Sequence, residues 1–471
     1  MILLTLQEYI DSIKTLRIAV IGAGVSNMPL IRLLLENDCR VTVCDKRTLP
    51  EMGRSGEELE SAGAELRLGA DYLEGLDHDL IFRTPGLMPF DPHLVAAAEK
   101  GSLITSEMEV FFSLCPCRTI AVTGSDGKTT TTTVISELLR AAGYTVHLGG
   151  NIGRPLLCDV PKMRPEDFAV LELSSFQLHS MSCRPDVAVI TNISPNHLDK
   201  HKDYQDYIDA KMSIFSSQTE KDRLVLFLDD GHSAYYAAAA RSSVAYFSDR
   251  SSVENGAYCL DGVLYRVKDG EERRIMEASE IRIPGEHNVL NYLAAFSATE
   301  GLVSDRLCRE VAMSFPGVEH RLEQVRELKG VLFINDSIAS SPSRTAAGLR
   351  AMKRKPIIIV GGYDKHIPFD VLGDDLCRFA ERVVITGATA EKIRDSIENS
   401  PLYPECGLRF DMIDGFDAAV RAAAACAREG DIVLLSPACA SFDAFPNFAA
   451  RGTHFKELVM ELKDEDIGYQ A

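Results

Sequence analysis

No run of apolar residues in this 471-residue chain reaches membrane-spanning length, and its opening residues, MILLTLQEYIDSIK, lack both a basic segment and a small-residue cleavage site. Neither a spanning helix nor a secretory signal is expected, and the chain reads as cytoplasmic. Positive charge is also short. Fifty Lys and Arg against 69 Asp and Glu give a net charge of −19, which argues against a nucleic-acid surface and leaves any small anion to be met by particular basic side chains. The twelve cysteines show no paired CxxC spacing of the kind that holds zinc. Cys44, Cys158, Cys308, Cys377 and Cys426 scatter through expected strands and helices, while Cys115 and Cys117 are too close and too isolated to count as a site, so reduced core thiols are expected. Low-complexity tracts, heptad runs and internal repeats are missing too.

What is present is enough apolar sequence, 46% of residues, for several cores, and a length that suggests three domains of roughly 150 residues each. The most informative stretch runs from Arg118 to Ala142, RTIAVTGSDGKTTTTTVISELLRAA. An apolar strand enters a glycine turn that opens a helix through Lys128 and Thr129. Gly124 and Gly127 let backbone N–H groups approach phosphate oxygens, Lys128 supplies a point charge, and the Thr129 hydroxyl suits Mg²⁺. The eight-residue P-loop pattern wants a glycine five positions before Gly127, where Val122 stands, so a shorter loop is implied.

Three blocks follow the chain. The first pairs RIAVIGAGVSNMPLIRLLLEN with VTVCDKR, a dinucleotide-type βαβ unit whose second strand ends at Asp45. Asn27 occupies the third glycine position of that fingerprint, and a bare turn, a UDP ligand and NAD all remain compatible with it. A further strand, DLIFRTPGL, is expected to end at Thr84, Pro85 and Gly86. The second block carries the phosphate loop, then FAVLELSSFQL, DVAVITNISPNHLDKH and the helical DYQDYIDAKMSIF. An irregular region from about Asp229 to Ile283 reads as antiparallel strands decorating this block. The third begins near Val318, where VLFIND, IIIVGG, VVITGA and IVLLSP alternate with helical stretches and predict another parallel sheet.

Glu172, at the carboxyl end of FAVLE, would share an edge with the phosphate loop and suits Mg²⁺; His197 and Asp199 follow the next strand and would reach the same edge. Lys211 falls on the apolar stripe of its helix, four residues from Tyr207 and three from Ile208. Desolvation there favours a neutral amine able to take up CO₂ as a carbamate, and the alternative is a snorkelling lysine paired with Glu172 or Asp199.

GSDGKTT, LELSSFQL, TNISPNHLDKH with AKMSIF, GEHNVLNYLAA, GVEHRLE, NDS and LLSPACASFDAFPNFAARG stand in the order found in the Mur ligases. The resemblance spans essentially the whole chain, and these motifs are long. It implies three α/β domains: a Rossmann-like UDP-binding domain (1–114), a central ATP-binding P-loop domain (115–317) and a C-terminal Rossmann-like amino-acid-binding domain (318–471). It further implies ATP-dependent joining of D-glutamate to UDP-N-acetylmuramoyl-L-alanine by a monomer, with no nucleic-acid or membrane partner. By resemblance, Gly124, Ser125, Asp126, Gly127, Lys128, Thr129 and Thr130 would hold ATP, with Asn288, Arg321 and Asp336. Two Mg²⁺ ions would sit on Thr129, Glu172, His197 and carbamylated Lys211, which favours the carbamate reading. Ser26, Asn27, Asp45, Lys46, Arg47, Thr84 and Asn151 are the candidates for the UDP substrate, and Lys365, Ser441 and Phe448 for D-glutamate. Lys128, His197 and Lys211 would be catalytic. The chain departs from the family in Ile338, Ala339, Ser340 and Ser341 after NDS, where a cation is missing and Arg344 is the expected substitute. It departs again in Asp126, an acid beside a polyanion that must face solvent, a metal or a lysine. The DNPR signature of the diamino-acid enzymes is absent. An NAD-dependent oxidoreductase built on GAGVSN would leave the phosphate loop idle.

Overall fold

The computed structural model describes residues 4–468 apart from 196, 198, 199, 284, 353 and 365–367. The chain divides into two compact units, Met1–Phe315 and Pro316–Ala471. Among the described residues three sheets are built by the expected βα rhythm, in which short Val/Ile/Leu runs buried on both faces make parallel strands and the intervening amphipathic segments cover them.

In the first unit, strands β1 (Arg17–Ile21), β2 (Arg40–Asp45), β3 (Glu65–Leu68), β4 (Leu80–Phe82) and β5 (Leu103–Thr105) form an all-parallel sheet ordered β3-β2-β1-β4-β5. The order reverses between β1 and β4, so a crevice opens at their carboxyl ends. There the turn after β1 meets Thr84, whose side chain would stand 3.3 Å from a Cβ added to Gly22, closer than an ordinary van der Waals contact. β4 ends at Phe82, two residues sooner than its sequence suggests, leaving Arg83 and Thr84 in the turn.

The second sheet of this unit has nine strands: β6 (Arg118–Thr123), β7 (Val146–Gly150), β8 (Phe168–Glu172), β9 (Val187–Ile190), β10 (Arg223–Phe227), β11 (Ser243–Ser248), β12 (Gly256–Leu260), β13 (Val263–Lys268) and β14 (Glu271–Glu277). Their order is β14-β13-β12-β11-β10-β9-β6-β8-β7. The irregular region is therefore not a separate decoration. β11 and β12 continue the parallel sheet, and only β13 and β14 turn antiparallel. Here β6 lies between β8 and β9, with Val122 opposite Glu172 and Thr123 opposite Ile190. The three segments that leave these strands are consequently neighbours.

Helix Lys128–Ala141 buries Val134, Ile135, Leu138 and Leu139 completely, a face worth roughly 1.5–3 kcal/mol per side chain. Its threonine run, poor in helix propensity, is accommodated because Thr132 and Thr133 donate their hydroxyls to the carbonyls of Lys128 (2.7 Å) and Thr129 (2.8 Å).

In the second unit, β15 (Glu323–Leu328), β16 (Val331–Asn335), β17 (Ile357–Gly361), β18 (Arg382–Thr386), β19 (Arg409–Met412) and β20 (Ile432–Leu435) are ordered β15-β16-β20-β17-β18-β19. All pairs are parallel except β15 with β16. Asn335 and the SPACAS segment leave the carboxyl ends of β16 and β20 side by side. Among the described residues no helix is long and apolar enough to cross a membrane.

Candidate active site

The loop between β6 and helix Lys128–Ala141 is held open from the neighbouring strand end. Ser125 donates its N–H to the Asn192 carbonyl (2.8 Å), Asp126 its N–H to Asn192 Oδ1 (2.9 Å), and Thr191 Oγ1 donates to the Asp126 carbonyl (2.5 Å). Ser125 Oγ shares a 2.8 Å hydrogen bond with the buried Tyr207 hydroxyl. Gly124 (φ 148°) and Gly127 (φ 77°) adopt backbone that L-residues rarely take. A Cβ on Gly124 would collide with the Thr191 hydroxyl, and one on Gly127 with Asn291 Oδ1. Asn291, on helix Glu286–Ala298, also accepts from Thr131 Oγ1 (3.2 Å) and donates to Asn288 Oδ1 (3.1 Å), so Asn288 stands one residue-contact away from the loop. Lys128 Nζ donates to the Gly124 and Ser125 carbonyls, 2.8 Å each. Thr129 is half-buried and Thr130 buried in the first helical turn, and the Asp126 side chain is exposed to solvent.

Glu172 ends β8 with only 1% of its surface exposed, and its two oxygens differ. Oε1 accepts from Asn151 Nδ2 (2.8 Å), whereas Oε2 is buried without a hydrogen-bond partner among the described residues. A buried acceptor left open costs about 1–3 kcal/mol, and a divalent cation is a chemically apt partner for it. Asn151 is thereby tied to the Glu172 carboxylate, and its N–H also donates to the Glu172 carbonyl (2.7 Å). Lys211 is 1% exposed. Its Nζ donates to the Gly124 carbonyl (2.8 Å) and more weakly to Thr123 Oγ1 (3.4 Å), and lies 4.6 Å from the centre of the Tyr207 ring. Burial, reinforced by the Lys128 charge and opposed by Asp126 and Glu172, pushes its amine well below the ordinary lysine value. Of the two sequence readings, the snorkelling charge paired with Glu172 is not what this geometry shows; the amine sits under the phosphate loop. His197 is exposed, with left-handed backbone (φ 55°) and its ring 5.0 Å from that of Phe176. Asp199 lies outside the described residues. An acid with an open oxygen, a desolvated amine, helix N–H groups and a glycine loop that excludes side chains together fit a nucleotide with divalent cations.

The first sheet brings a second group to its crevice. A narrow cleft is lined by Ser26, Asn27, Arg83, Glu107, Gly150 and Gln177 among others. Asp45 Oδ2 accepts from the Ala23 N–H (2.8 Å) and both its oxygens bind Arg47 (2.8 and 2.9 Å), so this pair braces the turn after β1. Hydrogen bonds to Arg47 and Ala23 overcome the cost of burial and lower the Asp45 pKa. Ser26 and Lys46 are exposed there, and Thr84 half-buried. Asn27 is 2% exposed and donates to the Ile21 carbonyl (2.9 Å). It replaces the third glycine by capping the strand end with its own amide.

Arg83 has no counterpart among the sequence candidates. It is 2% exposed, and its guanidinium joins the first sheet to the turn after Glu172 through Ser180 Oγ (2.7 Å), the Phe176 carbonyl (3.0 Å) and the Leu87 carbonyl (3.1 Å). Thr191, Asn192, Tyr207 and Asn291 were missed as well. A second asparagine in GEHNVLNYLAA was the one available signal.

In the second unit, Asp336 is buried at the carboxyl end of β16, accepting from Ser436 Oγ (2.7 Å) and the Leu322 N–H (3.3 Å). Burial pushes its carboxyl up to about 7 despite those bonds and the nearby Arg321 and Arg344 charges. Arg321 is exposed beside it. Arg344 donates to the Ile338 carbonyl (3.3 Å), at the position where the family cation is missing. Ser441 is 2% exposed with its hydroxyl unpartnered among the described residues, and Phe448 opens helix Phe448–Glu461 with its carbonyl bound by Ser337 Oγ (2.8 Å). Between them the buried Arg451, also missed, ties Ser337 to the Cys439 and Ala440 carbonyls. Lys365 lies outside the described residues.

The profile of the Mur ligase middle domain matches residues 122–299, and that described as Mur ligase, glutamate ligase domain matches residues 320–439. The UDP-N-acetylmuramoylalanine-D-glutamate ligase of Acetivibrio thermocellus is 46% identical over 464 residues, 97% of this chain and 99% of that protein. The protein of the same name from Clostridium novyi is 45% identical over 459 residues, again covering 97% and 99%. Among solved structures, the UDP-N-acetylmuramate-alanine ligase MurC from Thermotoga maritima superposes with a TM-score of 0.57 at 18% identity, covering 95% of this chain and all of that one. A pseudomurein peptide ligase type C from Methanothermus fervidus does so with a TM-score of 0.51 at 19% identity, covering 95% and 99%. At such identities these two likenesses are of fold.

Proposed function

The chain belongs to the Mur ligase family, and on that premise we propose that it joins D-glutamate to UDP-N-acetylmuramoyl-L-alanine with hydrolysis of ATP, a cytoplasmic step of peptidoglycan biosynthesis. The observation that carries this reading is the convergence of the phosphate loop, Glu172 and Lys211 at the adjoining ends of β6, β8 and β9 in a chain 46% identical over nearly its full length to a D-glutamate ligase.

A carboxylate is a poor electrophile, so amide formation needs activation. In this reading the L-alanyl carboxylate attacks the γ-phosphorus of ATP and ADP leaves, giving an acyl phosphate. The D-glutamate amine then adds to the acyl carbon, and phosphate departs as the amide forms. Loop residues Gly124 to Thr130 cradle the phosphates with backbone N–H groups, and Lys128 exchanges its loop carbonyls for phosphate oxygens. Asn288 serves the adenine side. Two Mg²⁺ ions, when bound, neutralise charge on the transferring phosphoryl group. Thr129 and Glu172 would hold one of them, and His197 with Lys211 the other. For that role the neutral Lys211 Nζ adds to the carbon of CO₂ and loses a proton, becoming a carbamate anion. Ser26, Asn27, Asp45, Lys46, Arg47, Thr84 and Asn151 serve the UDP substrate, Asn27 and Asp45 chiefly by shaping the turn. Arg321 and Asp336 are the ATP residues of the C-terminal domain, and Lys365, Ser441 and Phe448 its D-glutamate residues. Domain boundaries at 114/115 and 317/318 and a monomeric enzyme complete the proposal.

Phosphate release from ATP and UDP-N-acetylmuramoyl-L-alanine is the test. Release should require D-glutamate and Mg²⁺ and be absent with L-glutamate, L-alanine or a diamino acid; release with any of these in place of D-glutamate would refute the assignment.

A further inference from the structure

One carboxylate outside the nucleotide loop gathers three segments. Asp206 Oδ2 accepts from His201 Nδ1 and Asp206 Oδ1 from His179 Nε2, at 2.8 Å each. With Nδ1–H committed to Asp206, His201 Nε2 is the bare nitrogen and accepts from Ser175 Oγ–H at 3.0 Å. The His201 side chain is fully buried, and His179 and Asp206 are half-buried. Phe176 stacks on His201 at 5.5 Å.

Each partner sits a few residues from a group assigned above to cation binding. Ser175 is three residues past Glu172. His201 donates its backbone N–H to the His197 carbonyl (3.1 Å), a direct bond to the residue whose backbone is left-handed. Asp206 lies on helix Tyr204–Met212, five residues before Lys211, and is itself fixed by an N-cap bond from its N–H to Asp203 Oδ1 (2.8 Å). The order Asp206, His201, Ser175 matches the hydrogen-bond order of a nucleophile triad. Ser175, however, is 3% exposed and closed to an acyl substrate, so the chain of bonds ends there as a tether.

We propose that the His179–Asp206–His201–Ser175 clasp is a positioning device for the cation site, setting the spacing of Glu172, His197 and Lys211. The proposal rests on the ligase reading for what those three residues hold. Outer-shell partners of this kind typically change metal affinity 10–100-fold when removed. A tetrahedral transition-metal site made by His179, His201 and Asp206 is the competing use of the same atoms, which lie within 4.8 Å of one another.

The test compares the full-length wild type with His201→Ala, His201→Asn and Ser175→Ala. Asn can keep the donor to Asp206 and so serves as the rescue. The readouts are the Mg²⁺ dependence of ligation, Mn²⁺ binding in the presence of ADP by electron paramagnetic resonance, metal-free ADP binding and thermal melting. His201→Ala should raise half-saturating Mg²⁺ and weaken Mn²⁺ binding about tenfold or more, with metal-free ADP binding unchanged and His201→Asn recovering most of the loss. Ser175→Ala should shift both in the same direction by less, and decides the matter should His201→Ala fail to fold. Unchanged metal curves in these variants, with or without a lowered melting temperature, overturn the proposal. So does stoichiometric Zn²⁺ or Co²⁺ binding by the wild type that the His201 variants lose. A wild type that releases no phosphate sinks the ligase reading alone, since Mn²⁺ binding judges the clasp without turnover.

Discussion

Replacing Lys211 by methionine separates what this residue does for folding from what it does for chemistry. Methionine has nearly the same length and no polar head. The substitution removes one good hydrogen bond, to the Gly124 carbonyl at 2.8 Å, and one poor one, to Thr123 Oγ1 at 3.4 Å, a loss of about 1 kcal/mol. It also relieves a buried, desolvated amine, which offsets about the same amount. Stability should therefore move by no more than ~1 kcal/mol, or about 2–4 °C in melting temperature. Ligation should behave quite differently. On the role proposed for Lys211, its removal would take away an anion that helps hold a cation and with it several kcal/mol of charge stabilisation in phosphoryl transfer, and at about 1.36 kcal/mol per tenfold the turnover should fall by roughly three orders of magnitude. Phosphate release, thermal melting and metal-free ADP binding on the same preparation make the comparison. A methionine variant turning over within tenfold of wild type would refute the role given to Lys211. A variant that unfolds would refute the claim that its burial is energetically neutral.

Glu107 is 6% exposed, and burial pushes its carboxyl from 4.5 up to about 7 against hydrogen bonds from Leu157 and Leu156. The folded protein holds this proton where the unfolded chain has released it, so native stability falls as pH rises from about 4.5 through about 7. Glu107→Gln should abolish that slope and stabilise the protein at pH 8 by at most about 3 kcal/mol, with no gain at pH 4; parallel denaturation profiles at the two pH values would contradict this. Arg83→Met should destabilise the first unit by roughly 3 kcal/mol, because the Phe176 and Leu87 carbonyls lose their donors, and a change under 1 kcal/mol in chemical denaturation would argue against a clamp. Gly127→Ala should weaken ADP binding about tenfold in calorimetry, since its backbone (φ 77°) disfavours a side chain by about 1–2 kcal/mol; an unaltered Kd would mean the loop relaxes freely.

Local order was legible along the chain. GSDGKTT announced a turn feeding a helix because glycine, lysine and threonine have local reasons to stand there, and the strand predicted to end at Asp45 is where the sequence puts it. Lys211 could be suspected because a lysine on an apolar stripe violates the helical period. Its actual contact, the Gly124 carbonyl 87 residues earlier, could not. That contact depends on β6 lying between β8 and β9, an order set by how the crossovers pack. The same holds for Asn291 under the phosphate loop, for Arg83 spanning 97 residues to Ser180, and for the carboxylate shared by His179 and His201. An asparagine, an arginine or a histidine reads alike in a solvated loop and in a buried clasp. Periodicity and turn chemistry act over a few residues and are written in the chain, whereas desolvation and long-range hydrogen bonding acquire their sign only once the sheets have brought distant residues together.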